Sequence, residues 1–386
     1  MKQAEEVTRE EGLFEEYLGP VAAVVSPRLI SPSAFSAIDS VARVLPSTLA
    51  YNTFGFECRL GEDLPRADFL VLATASCGRD SLAGHHPTSR LPDHLMADPV
   101  WRRVQDLATP WAEPSSPLYH AMDNVWLEFD VDGPVPEIPV PSVFFGLPTN
   151  ARTDAAREPG IRHQATIETA IRLLSGDEPA PRVPETLSRC FRALLPEEHV
   201  FQVGLMLARG AGPVRLCIRL RSVERIVEYL VGVGWPGDEA ALRGVLEPLS
   251  RSVDRVLLDI DAGETVGAKV GLECYFEGNR QPRREPRWGA FFDSLVRQGM
   301  CTAGKRPALL EYPGYVDQNA EGVAWPTALR RTSQLLAGRS LSTFVRSLHH
   351  VKIVYHPGRP LEAKAYLAVN HHWHTPVSGS SSVRPQ

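Results

Sequence analysis

Residues 350–369 read HVKIVYHPGRPLEAKAYLAV. Two alternating runs flank a Pro-Gly turn, so the stretch folds as a hairpin of two short strands. Side chains two residues apart in a strand share a face. Glu362, Lys364 and Tyr366 therefore project together, while Ala363, Ala365 and Leu367 face the other way. An isolated hairpin of this kind turns its polar side to water. What a lysine and a tyrosine on one face are for depends on whether other hairpins repeat the pattern.

They do. Strand-like alternation recurs in TFGFECRL (53–60) with ADFLVLAT (67–74), and in NVWLEFDV (124–131) with PSVFFGL (141–147). It recurs again in VFQVGLMLA (200–208) with VRLCIRL (214–220), and in DRVLLDID (254–261) with AKVGLECYF (268–276), making ten strands in five hairpins. Between hairpins the period lengthens to that of a helix, as in DHLMADPVWRRVQDLATPW (93–111), PETLSRCFRALL (184–195), VERIVEYLVGVG (223–234) and RWGAFFDSLVRQG (287–299). Hairpins separated by helices build an antiparallel sheet, since a parallel one needs single strands joined by crossovers. A twisted sheet of ten strands removes its exposed edges by closing on itself. The expected fold is α+β: a ten-stranded antiparallel closed β-barrel with a solvated lumen, surrounded by a ring of α-helices. It spans residues 1–374 as a single domain and leaves the low-complexity stretch TPVSGSSSVRPQ (375–386) as a disordered tail.

Composition sets the remaining bounds. The chain has 386 residues, 43% hydrophobic and 23% charged, with a formal net charge of -5, an ordinary globular balance for one large domain. No apolar run is long enough to span a membrane, and the opening MKQAEEVTREEGLFEEYLGP is acidic where a signal peptide would be basic and then apolar. The expected compartment is the cytoplasm. Six cysteines without a CxxC pair suggest reduced thiols rather than a zinc knuckle or a disulfide framework. The absence of any basic run argues against nucleic acid as a partner.

If helices jacket the outside, the polar side of each strand becomes a lining. The two-residue period then turns inward Glu57 and Arg59; Trp126, Glu128 and Asp130; Gln202; and Arg215, Cys217 and Arg219. It adds Asp259, Asp261, Lys269, Glu273 and Tyr275, then Lys352, Lys364 and Tyr366, with Arg66 at the entrance of the second strand. Acids and cations nearly balance on this lining. The histidines of VNHHWH (369–374) read as solvated side chains, and Asp259 with Asp261 as a carboxylate pair beside a turn. Walker, GxSxG and HExxH patterns are absent.

Five hairpin-plus-helices repeats with K-x-Y in a late strand resemble the aromatic prenyltransferases of the ABBA class (the PT barrel), and within it the indole-prenylating dimethylallyltryptophan synthase branch. FECRLGEDLPRADFLV (56–71) supplies Glu57 where that branch carries an acceptor-binding glutamate, and Arg66 where it carries a diphosphate-binding arginine. Lys364 and Tyr366 in AKAYL match its lysine–tyrosine pair, and Tyr275 in LECYF matches a further tyrosine. The chain departs from the pattern at Gly271 and Glu273, which precede Tyr275, and in SVFFG, which has no K-x-Y.

The resemblance implies transfer of a dimethylallyl or longer allylic group from a prenyl diphosphate to an indole or phenol, free or within a peptide or natural product. Glu57 is then the acceptor-side catalytic base. Arg66, Arg215, Arg219, Lys269, Lys352 and Lys364 clamp the diphosphate, and Tyr275 and Tyr366 shield the allylic cation. Ionising an allylic diphosphate demands positive charge for the leaving group and exclusion of water from the carbocation. Tyrosine faces stabilise that cation. No DDxxD pair is present, so the expected site uses no metal and no cofactor, with prenyl diphosphate as co-substrate and no requirement for magnesium. Two alternatives keep the barrel without prenyl transfer: another tailoring enzyme, or a non-catalytic protein that presents a substrate.

Overall fold

Alternation along Thr53–Arg59 (β1) sorts the chain into an inside and an outside. Phe54 and Phe56 are fully buried, with their rings against Phe14 and Phe35 of the N-terminal segment at 5.4 and 5.6 Å. The residue between them, Gly55, and the next on its face, Glu57, turn to the other side. A computed structural model describes residues 12–86, 90–131, 133, 135–148, 159–176, 183–210, 212–336 and 339–374. The tail 375–386, expected to be disordered, lies outside the described residues.

The strands are β1, Ala67–Thr74 (β2), Asn124–Phe129 (β3), Ser142–Gly146 (β4), His199–Leu205 (β5), Val214–Arg219 (β6), Arg255–Ala262 (β7), Val266–Tyr275 (β8), Gly314–Asp317 (β9), Leu341–Tyr355 (β10) and Glu362–His374 (β11). Every pairing is antiparallel, running β11-β1-β2-β3-β4-β5-β6-β7-β8-β10, and β10 pairs with β11 to close the ring. Ten strands thus form the closed barrel, as the hairpin count predicts. The short β9 adds an eleventh beyond that count, pairing with the first half of β10 where β8 does not reach. The last hairpin is longer than the quoted stretch and takes in His371, His372 and His374, so these histidines lie on a strand, with His371 Nε2 2.8 Å from Ser342 Oγ.

Helices cover the outer faces because the outward side of each strand is apolar. Phe69 and Phe129 stack across adjacent strands at 6.3 Å, and Trp101 of helix Pro99–Ala112 meets Phe129 at 6.2 Å. Phe276 of the β8 end lies 4.4 Å from Trp288 of helix Arg287–Arg297. Two helices ahead of β1, Glu15–Ala22 and Pro32–Ala42, add to those the periodicity located; the second begins at a Ser31 cap with Pro32 at its first turn. No helix among the described residues is long and apolar enough to cross a membrane.

Candidate functional site

Inside the barrel the described residues line a chamber of about 690 Å³, a volume suited to two small organic substrates. Its walls differ. From β2 to β5 the lining is mostly apolar, with Leu70, Leu72, Trp126, Phe144 and Phe201. From β6 around to β1 it is charged and aromatic. Gly204 allows the close packing of the apolar side, since a Cβ there would stand 2.3 Å from the Phe144 ring.

On the charged side the groups form connected pairs. Lys364 Nζ donates to Glu57 Oε1 at 2.5 Å, and the Tyr366 hydroxyl donates to Glu57 Oε2. Burial pushes the Glu57 carboxyl up, but the Lys364 ammonium and these two hydrogen bonds outweigh it and hold the group well below the usual glutamate range. Lys352 Nζ contacts Asp259 Oδ2 and lies 3.8 Å from Glu273 Oε1. Burial disfavours the Lys352 ammonium, yet Asp259 and Glu273 more than compensate and raise its pKa. Arg215 clasps Asp261 through Nε at 2.8 Å and Nη2 at 3.1 Å, with Lys269 3.8 Å from the same carboxylate. Ligand atoms of Cys217, Asp259 and Glu273 converge within 4.8 Å, as a metal site would require, but the Lys352 ammonium already supplies the positive charge between those two carboxylates.

Three rings stack above this network. His350 lies between Tyr366, at 4.1 Å and 16°, and Tyr275, at 4.8 Å and 28°. Burial, reinforced by His349 and Lys352, holds the His350 imidazole well below its ordinary pKa, so the slab is neutral. Tyr275 donates its hydroxyl proton to Glu273 Oε2 at 2.7 Å.

Six cations (Arg209, Arg215, Lys269, Lys352, Arg359, Lys364) and six carboxyls (Glu57, Glu128, Asp259, Asp261, Glu273, Glu362) face the chamber, the near-balance expected from the sequence. Burial breaks it. Glu128 is pushed up to about 8 by desolvation and by repulsion from Glu57, and Glu273 is raised by desolvation and by Asp259. Glu128 therefore favours its protonated, neutral form at neutral pH, which tips the chamber toward positive charge.

Seven of the nine expected site residues meet here: Glu57, Arg215, Lys269, Tyr275, Lys352, Lys364 and Tyr366. Arg66 does not. It precedes β2 and pairs with Glu62 at 2.8 Å, off the chamber lining. Arg219 shares the face of Arg215 but is the exposed last residue of β6, beyond the chamber. Arg59 and Asp130 likewise lie off the lining, in ion pairs with Asp68 and Arg209. His349 joins the lining because a bulge in β10 lets two consecutive residues face the chamber, and the bulge in β5 does the same for Phe201 and Gln202. Arg209 and Arg359 come from turns, which strand alternation does not reach.

No protein-family model matches the sequence, and no curated protein does. Among solved structures, the apo form of prenyltransferase PriB is 15% identical over 94% of this chain and 97% of its own, with a TM-score of 0.50. PriB in its ternary complex with L-tryptophan and dimethylallyl thiolodiphosphate gives 16% identity, the same coverage and 0.50. The 5-dimethylallyltryptophan synthase of Streptomyces coelicolor is 15% identical over 92% and 95% of the two chains, at 0.46. The fold is that of the prenyltransferase barrel. At this identity the likeness covers the path of the backbone, and the chemistry rests on this chain's own residues.

Proposed function

We propose that this barrel transfers an allylic group from a prenyl diphosphate to an electron-rich aromatic acceptor, an indole or a phenol, free or within a peptide. One observation carries the reading: a chamber inside the barrel with cations and a slab of stacked rings on one wall and an apolar surface on the other. Arg215, Lys269, Lys352 and Lys364 hold the diphosphate and neutralise the charge that builds as the C–O bond breaks. The faces of Tyr275 and Tyr366 border the allylic cation and, with the closed wall, keep water from it. Trp126 and Phe144 present the acceptor ring. Glu57, held as a carboxylate, accepts the acceptor's N–H or O–H and raises the electron density of the ring as the bond forms. Lysine and arginine supply the positive charge, so the reaction proceeds without a metal.

The PriB complex, named for its bound tryptophan and thiolodiphosphate, supports substrates of this chemical class. The test is mass spectrometry after incubation with dimethylallyl and geranyl diphosphate and a panel of indoles and phenols, with and without EDTA. An acceptor gaining one prenyl mass in EDTA is the expected result; an unchanged acceptor with every donor contradicts it. A second reading is favoured by the ion pairs already formed at Glu57–Lys364, Asp259–Lys352 and Asp261–Arg215: a barrel that binds another small molecule without prenyl transfer. It requires that no prenyl diphosphate raise the melting temperature.

A further inference from the structure

Electrophilic substitution leaves one proton to be removed, and Glu57 is poorly placed to take it. Both of its oxygens already accept hydrogen bonds, and its carboxylate is strongly favoured over the acid. With the acceptor's N–H or O–H as a third partner, no lone pair of Glu57 is left aimed at the ring carbon that reacts.

The adjoining apolar wall, two strands from Glu57, holds a different carboxyl. Among the described lining residues of β2 to β5, Glu128 is the one ionisable side chain. It shares the inward face of β3 with Trp126 and is flanked across the sheet by Leu70 and Ser142, neither of which titrates. No hydrogen bond or ion pair from the described residues holds its carboxyl, so both oxygens are available to a ligand lying on the apolar wall. The charged groups that act on it from the facing elements are Glu57, Lys352, Arg215 and Lys364.

We infer that Glu128 is the proton acceptor of the substitution, taking the proton from the ring carbon that has just received the prenyl group; this rests on the prenyl-transfer reading. With the acceptor's N–H or O–H bound at Glu57, attack comes from a ring carbon. The donor C–O bond breaks with its electron pair going to the diphosphate oxygen, and ring π electrons form the new C–C bond. The ring C–H bond then breaks, its electrons restore aromaticity, and the proton goes to a Glu128 carboxylate oxygen, from which it exchanges with water after product leaves. A carboxyl raised to about 8 is a far better acceptor than one held low, at the cost of being ionised in only part of the population at neutral pH. Coupling therefore rises with pH through the Glu128 titration.

The test uses the full chain with dimethylallyl diphosphate and a ring-deuterated acceptor. Glu128→Gln is expected to lower prenylated product by about 100-fold, the scale of a lost general base. More of the donor consumed should end as prenol, a primary deuterium isotope effect should appear, and the rising pH limb should vanish. Glu128→Asp, which keeps a carboxyl with shorter reach, should lie between the two. If Glu128→Gln keeps the wild-type partition and isotope effect, or if product and donor consumption fall together without an isotope effect, the assignment is overturned. A wild-type protein that consumes no allylic donor instead overturns the prenyl-transfer reading beneath it.

Discussion

Glu57 and Lys364 show how a single pair serves both folding and binding. Lys364 is about a fifth exposed (21%) and Glu57 is 9% exposed, so removing one partner strands the other in a poorly solvated place. Lys364→Met should destabilise by about 2 kcal/mol, below the ~3–5 kcal/mol of a fully buried pair. Adding Glu57→Gln should recover part of that loss, and denaturant unfolding of the double-mutant cycle measures it. The raised carboxyls predict the opposite pH behaviour from Glu57. Glu128 and Glu273 contribute stability that is complete below the ordinary glutamate value and is lost as pH rises through their folded-state values, about 8 for Glu128. Glu57, held low, contributes stability above the ordinary value and loses it only on acidification. The melting temperature should therefore fall from the ordinary glutamate value near pH 4.5 to about pH 8, and Glu128→Gln should flatten the fall by roughly 2 °C. A fall of equal depth in the variant would place the responsible groups elsewhere.

At the level of elements, the seam between β1 and β11 joins the first and last hairpins, and Gly55 sits in it. A Cβ at Gly55 would stand 2.4 Å from the Leu367 carbonyl oxygen, which is backbone and has little room to yield. Gly55→Ala should cost about 1–3 kcal/mol in chemical denaturation, the range for overpacking a close contact; a neutral result would mean the seam shifts to admit a methyl group. The strands were readable in the sequence because each carries an unbroken apolar outward side, so Phe54, Phe56, Phe69 and Val71 announce their face by period. Arg66 misled because a turn residue beside a strand has no fixed face, and Arg219 because alternation gives direction but not depth. The bulges at His349 and Phe201 were illegible for a different reason: an extra residue shifts the register without altering composition.

For the whole molecule, closure converts ten half-polar strands into one interior whose charge is set by burial as much as by sequence. Counting residues gives a balance of acids and cations, and the burial that favours a neutral Glu128 tips it positive. That excess draws a trianionic donor into the chamber more strongly than a neutral lining would. The most direct measurement is titration calorimetry of dimethylallyl thiolodiphosphate into the full chain in EDTA, for the wild type and for Lys269→Ala. The wild type should bind in the micromolar range or tighter, the variant about tenfold more weakly, and the wild-type affinity should weaken as salt is raised. Absence of binding, or an affinity indifferent to both salt and Lys269, would contradict a cation-held diphosphate in this chamber.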